Sequence, residues 1–285
     1  MYKIAILGCE NSHADGFLNL IKEGKFPELF VSGVYSCEED AAKKLNEKFG
    51  VSVMENYDSL AGQLDGVIIT ARHGDNHYKY AKPYIKSGIP MFIDKPITCT
   101  DADVRALMRD AKENGVLLTG GSMLALLDDV TEARRKIESG ELGEIYGGNV
   151  VAPVQSDSVY GGFYFYAEHL MGILTATFGT GVKEVFATKN KTYSVIFRYP
   201  DFDVTGTYLD GNYKYSVSVY GKEAIHQSQI KVTSAGFVKE LEKFTALLKG
   251  GDMTESYRDM AAPVFIMNAI ERSLLSGKWE AVLTL

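Results

Sequence analysis

Apolar and polar positions follow two regimes along the chain. Up to residue 120, short apolar runs alternate with stretches of helical period. The runs are YKIAILG, LFVSGVYS, DGVIITA, PMFIDKP and GVLLTGG. Each is short and most are bounded by turn residues, which predicts buried strands. Between them, EEDAAKKLNEKFG and DADVRALMRDAKENG read as helices, the second with Val104, Leu107, Met108 and Ala111 on one face. Thr100 and Asp103 resemble a capping pair at its start, and Asn114-Gly115 marks its end. Strands alternating with helices predict a doubly wound parallel sheet covered on both faces.

After Gly143 the strand candidates become longer and more polar: EIYGGNVVAPV, KEVFAT, TYSVIFRY, DVTGTYLD, YKYSVSVYG and EAIHQSQIKV. LDGNY and VYGKEA carry glycine where hairpin turns are expected. One helix interrupts over 163–178, and two close the chain over 235–249 and 255–276. Met260, Val264, Met267 and Leu274 form an apolar stripe on the last, most simply core. This part predicts an α+β domain, an open antiparallel sheet with one solvated face and one face flanked by helices. The expected domains are 1–120 and 121–285, with the closing helices available to pack back on the first.

Composition narrows the function classes. With 285 residues, 46% of them apolar, the chain can bury a core without staples. A net charge of −7 argues against nucleic acid as a partner. Three cysteines without a C-x-x-C fit a reducing cytoplasm better than a disulfide scaffold. The N-terminus enters a strand pattern directly, with no signal-peptide pattern, and no apolar run approaches the ~18 residues of a membrane span.

In open parallel sheets, ligands bind beyond the carboxyl ends of the strands. Those ends carry Gly8-Cys9-Glu10-Asn11, Ser36-Cys37, Thr70-Ala71-Arg72-His73, Asp94-Lys95-Pro96 and Gly120-Gly121-Ser122. Pro96 disfavours helix at Lys95, so the lysine is expected to project from a strand end toward the second domain. There it can neutralise an anion, hydrogen-bond a carbonyl or hydroxyl oxygen, or exchange a proton if desolvated. A surface turn lysine is the plain alternative. His169, in GGFYFYAEHLMGIL, is the second candidate, an acid or base near neutral pH or a core histidine bonded to backbone. Glu168 beside it points to another face and is expected to be solvated. His73 and His77 have a metal-binding spacing but no evident third ligand, so no metal is expected. His77 reads as a helix cap or cofactor contact.

The loop ILGCENSHADGF stands where a dinucleotide-binding G-x-G-x-x-G would be, and only Gly8 matches. Read without gaps, Glu10 and His13 take the other two places, and a carboxylate facing a pyrophosphate is unfavourable. Asn11, Ser12 and the first N–H groups of the next helix can still donate to an anion. Ser36 ends the second strand, where an acid usually binds the ribose, and is compatible with NAD or NADP.

These residues together resemble the Gfo/Idh/MocA family of oxidoreductases. The resemblance runs from the segment beginning VIITARHGDNH through DKP and GVLL, and includes ESGELGEIYGG, FVKELEKFTALLKGGD and AIERSLLSGKWEAVLTL. It implies a Rossmann-type N-terminal domain, NAD or NADP as cofactor, and a sugar, cyclitol or similar polyol as substrate. It also implies a homodimer or homotetramer assembled through the C-terminal sheet. By the same resemblance Lys95 and His169 are catalytic, Lys95 polarising the reacting oxygen and His169 exchanging its proton. Thr70, Ala71, His77, Asp94, Lys95 and Pro96 line the nicotinamide side, and a gapped alignment brings His13 onto a histidine common early in the first helix. The chain departs from the family at Phe165, where an aspartate stands four residues before the histidine. It departs again at Gly172, where a second acid often follows, and in GGSMLAL, which lacks the usual Asn and Arg. Tyr164, Tyr166 and Glu168 are candidate substitutes for the aspartate. An oxidoreductase is the leading expectation. A catalytically silent ligand- or dinucleotide-sensing protein, and a lyase or glycosidase using retained NAD, are the alternatives.

Overall fold

The five N-terminal apolar runs form five strands: β1 (Tyr2–Leu7), β2 (Leu29–Tyr35), β3 (Gly66–Ile69), β4 (Met91–Asp94) and β5 (Leu118–Gly121). Between them lie α1 (Ser12–Lys22), α2 (Glu39–Phe49), α3 (Asp75–Ile85) and α4 (Asp101–Glu113). The computed structural model describes residues 1–285. The strands are all parallel, in the order β2-β1-β3-β4-β5. Every residue of β3 and β4 is buried, as expected of strands covered on both faces. Successive strands lie on opposite sides of β1, which opens a crevice between the ends of β1 and β3. The capping pair of α4 is present, with the Asp103 N–H donating to Thr100 Oγ1 at 3.0 Å.

The rest of the chain forms α5 (Asp128–Glu138), β6 (Ile145–Val154), α6 (Tyr164–Phe178) and β7 (Glu184–Lys189). Then come β8 (Tyr193–Arg198), β9 (Asp203–Asp210), β10 (Tyr215–Gly221), β11 (Ile225–Ile230), α7 (Ala235–Leu248), α8 (Tyr257–Ser276) and β12 (Glu280–Ala281). The chain divides into two compact units, Met1–Gly121 with Phe237–Met260, and Ser122–Gly236 with Ala261–Leu285. In the first, Leu241 and Phe244 of α7 join Ile4, Ile6, Phe17, Ile68 and Phe92 in one core. A side chain of this size contributes about 1.5–3 kcal/mol when fully buried.

The second unit holds a seven-stranded sheet, β11-β10-β6-β9-β8-β7-β12. It is mixed rather than wholly antiparallel, because β6 and β9 run parallel from Gly147↔Asp203 to Val154↔Asp210. LDGNY therefore closes no hairpin: β9 and β10 flank β6 on opposite edges. Two strand spacings are about 9.6 Å, within reach of the link over 211–214. VYGKEA does close a hairpin, with Gly221 N–H donating to Ala224 O at 3.0 Å. Burial alternates along β9, so one sheet face is packed and the other wet. Met260, Val264 and Met267 of the last helix are buried and Leu274 half-buried. The expectation of a solvated Glu168 is overturned, since it is 1% exposed. α6 is buried throughout 167–174 and offers no wet face at that point.

Candidate active site

β1 ends at Gly8, whose φ is +76°. A Cβ there would lie 2.3 Å from the Ala71 backbone, so only glycine lets this loop rest against the end of β3. Thr70 Oγ1 donates to Gly8 O at 3.0 Å and ties the same two ends. Asn11 caps α1, accepting from His13 N–H at 3.2 Å, and its Nδ2 donates to Asp94 Oδ2 at 3.3 Å. Ser12, the first residue of α1, is exposed.

Asp94 is the hub of this network. His13 Nδ1 lies 2.7 Å from Asp94 Oδ2, and the Lys95 N–H donates to Asp94 Oδ1 at 2.7 Å. Burial alone would raise the Asp94 pKa. The charge and hydrogen bond of His13, followed by Lys95, outweigh it and hold the carboxyl below its ordinary value. Lys95 is 4% exposed, and its peptide bond to Pro96 is cis. His77 is wholly buried, with Nδ1 2.6 Å from Pro96 O and Nε2 2.8 Å from Ala71 O. Burial pushes its pKa down, against the pull of Asp94 and the surrounding carbonyls. His77 thus braces the segments that carry Ala71 and Pro96. His73 groups instead with Asp75 and Cys99, their ligand-type atoms within 4.8 Å of one another.

Glu10 joins three strand ends. Ser36 Oγ donates to Glu10 Oε2 at 2.7 Å, and the Arg72 N–H donates to Oε1 at 3.1 Å. Ser36 Oγ also accepts from the Glu38 N–H at 2.9 Å. Both carboxylate oxygens therefore hold donors of the protein itself. Beside this bridge lies a cavity of about 770 Å³, lined by the β1–α1 loop, the start of α2 and Arg72. Glu38, Glu39, Asp40 and Lys44 were absent from the residues singled out in the sequence, and Arg72 was named there only as part of a strand end. The acidic run after β2 was the available signal, one turn beyond the expected strand-end position.

Lys95 belongs to the first unit and His169 to the second. His169, on α6, is 8% exposed, and its Nδ1 lies 2.8 Å from Ser122 Oγ. Tyr166 and Tyr215 meet the imidazole edge-on, with centroids at 5.2 and 6.0 Å. Phe165 packs 5.4 Å from both Tyr160 and Tyr166. Tyr164 turns away, its hydroxyl donating to Glu271 Oε2 at 2.5 Å, with Asn268 Oδ1 3.1 Å from the same oxygen. Of the three candidate substitutes for the aspartate, Tyr166 is the one with its ring against His169. Ser122 was named only as part of a strand end, with no role assigned to it. GGS at a strand end signals a turn and gives no hint that α6 returns to it.

Residues 2–122 match the profile of the oxidoreductase family with an NAD-binding Rossmann fold. This N-terminal region belongs to the Gfo/Idh/MocA family. An uncharacterized oxidoreductase, YhhX of Escherichia coli K12, is 33% identical over 79 residues, 28% of this chain and 23% of that protein. The scyllo-inositol 2-dehydrogenase (NAD(+)) of Bacillus subtilis 168 is 33% identical over 84 residues, with the same shares. The matched stretches thus span under a quarter of these relatives. At the level of fold the likeness covers both chains. The scyllo-inositol dehydrogenase of Lactobacillus casei, solved with NAD(H) and scyllo-inositol, superposes with a TM-score of 0.85. It is 14% identical and covers 99% of each chain.

Proposed function

We propose that this protein is an NAD-dependent oxidoreductase acting on a sugar, cyclitol or similar polyhydroxylated small molecule. The observation that carries the reading is the strand-end constellation of Gly8, Ala71, Asp94 and buried Lys95 within a family domain of NAD-binding type. The Gly8 turn and the start of α1 suit a pyrophosphate, which helix N-terminal N–H groups attract. Glu38, Glu39 and Asp40 on the cavity wall favour an unmodified ribose over one bearing a 2′-phosphate, by like-charge repulsion. NAD, when bound, supplies the hydride acceptor at its nicotinamide. Lys95 and His169 are the residues proposed to handle the reacting oxygen and its proton. Polyol substrates are supported by the relatives named for inositol oxidation. Phe165, Tyr166 and Tyr213 offer ring surfaces suited to the C–H face of a cyclic polyol. Assembly through the C-terminal sheet belongs to the same proposal, and Tyr146, Tyr220 and Ile225 are its exposed apolar side chains.

The test is a panel of inositols and aldoses incubated with NAD, followed by nicotinamide absorbance. On an active substrate, Lys95→Ala is expected to lower kcat by about 100-fold or more. NAD affinity should stay within about threefold, a shift of less than 1 kcal/mol. Turnover unaffected by Lys95→Ala, or no turnover of any polyol, would overturn the proposal.

A further inference from the structure

We propose that Ser122 is a positioning residue for His169, donating its hydroxyl proton to Nδ1 so that the neutral ring carries its own proton on Nε2. This rests on the catalytic reading of His169 given above. Two of the chain's departures from its family meet at this contact. Phe165, one helical turn before His169, is a hydrocarbon ring and offers no acceptor to an imidazole N–H. Gly172, three residues after His169 on the same side of α6, is what admits Ser122. A Cβ at 172 would lie 2.7 Å from Ser122 Cβ. The missing acid and the missing side chain thus make room for a neutral hydroxyl 2.8 Å from Nδ1.

The direction of this hydrogen bond follows from what else Ser122 does. Its Oγ accepts the Leu124 N–H at 3.3 Å, at the start of the 3₁₀ turn Met123–Leu126. The Leu124 N–H is itself a donor, so Nδ1 is the acceptor that the hydroxyl's proton meets here, and a proton on Nδ1 would leave the buried O–H facing two donors. An imidazole that accepts at Nδ1 is a donor at Nε2. His169 then meets the reacting oxygen as a hydrogen-bond donor, and proton exchange falls to Lys95. With NAD bound, its nicotinamide would supply the hydride acceptor for carbinol oxidation, and the neutral Lys95 amine would take the carbinol O–H proton. His169 keeps its proton throughout. This reverses the division of labour that the family resemblance implies.

The test is side-chain ¹⁵N NMR of the full chain without substrate, with His169 assigned by comparison with His169→Gln. The expected wild-type spectrum has an unprotonated, hydrogen-bonded Nδ1 and a protonated Nε2. In Ser122→Ala the Nδ1 resonance should move to the position of an unbonded pyridine-type nitrogen. Gly172→Ala should do the same while keeping the hydroxyl, because its methyl displaces Ser122. A wild-type proton on Nδ1, or an Nδ1 resonance unmoved by both substitutions, would overturn the proposal. The wild-type tautomer is read without any variant, so misfolding of a variant leaves the test intact. On an active substrate, Ser122→Ala should also lower kcat about tenfold with NAD affinity unchanged. If no substrate is ever turned over, the enzymatic reading fails, and the spectrum still decides the hydrogen bond.

Discussion

Glu240 on α7 is 2% exposed, and neither of its carboxylate oxygens has a hydrogen-bond partner. Burial, then the nearby Asp94 charge, push its pKa well above the ordinary value, and Lys243 only partly offsets them. An acid with a raised folded pKa binds its proton more tightly when folded. Its contribution to stability is therefore retained at low pH, and is lost as pH rises from the unfolded value of about 4.5 through the folded one. Glu240→Gln removes that loss. Its melting temperature should match wild type near pH 4 and exceed it increasingly toward pH 8, by about 2–4 °C per kcal/mol. A constant gap across pH, or a less stable variant, would contradict this assignment. Nothing in the sequence marked Glu240, since FVKELEKF reads as an ordinary amphipathic stretch. Glu168 was expected to be solvated, and its burial went unread for the same reason. Burial of one acid is decided by what packs around the helix, which its own period does not report.

At the scale of elements the chain was largely legible. Both kinds of strand, the capped α4 and the closing helices lie close to where apolar periodicity and turn residues put them. Pairing was less so. The parallel match of β6 with β9 depends on a crossover between distant segments, and a glycine turn cannot distinguish a hairpin from a link that steps over a strand. The β1–α1 loop was legible in part. Gly8 announced the turn, while Glu10 looked like a misplaced charge and is a bridge to Ser36 and Arg72. Glu10→Gly should therefore lower unfolding stability by about 1–3 kcal/mol, with no gain in NAD affinity. Chemical denaturation and calorimetry on the same preparation would check both. Tighter NAD binding at unchanged stability would mean that the bridge is dispensable.

For the whole molecule, contacts remote in sequence decide how the site is built. Leu241 and Phe244 of α7 complete the core of a unit whose sheet ends at residue 121. His13, from that unit's first helix, secures Asp94 at the end of its fourth strand. Such closures are why the family resemblance was readable from spaced motifs while the contact of Ser122 with His169, the acids of the cavity wall and the burial of Glu240 were not. They also make the cofactor the point on which the functional account rests. Calorimetric titration of the full chain with NAD, NADH, NADP and NADPH tests it most directly. The account predicts saturable binding of NAD and NADH, at least about tenfold tighter than their 2′-phosphorylated counterparts, roughly 1.4 kcal/mol. No detectable heat from any of the four at millimolar concentration would contradict it.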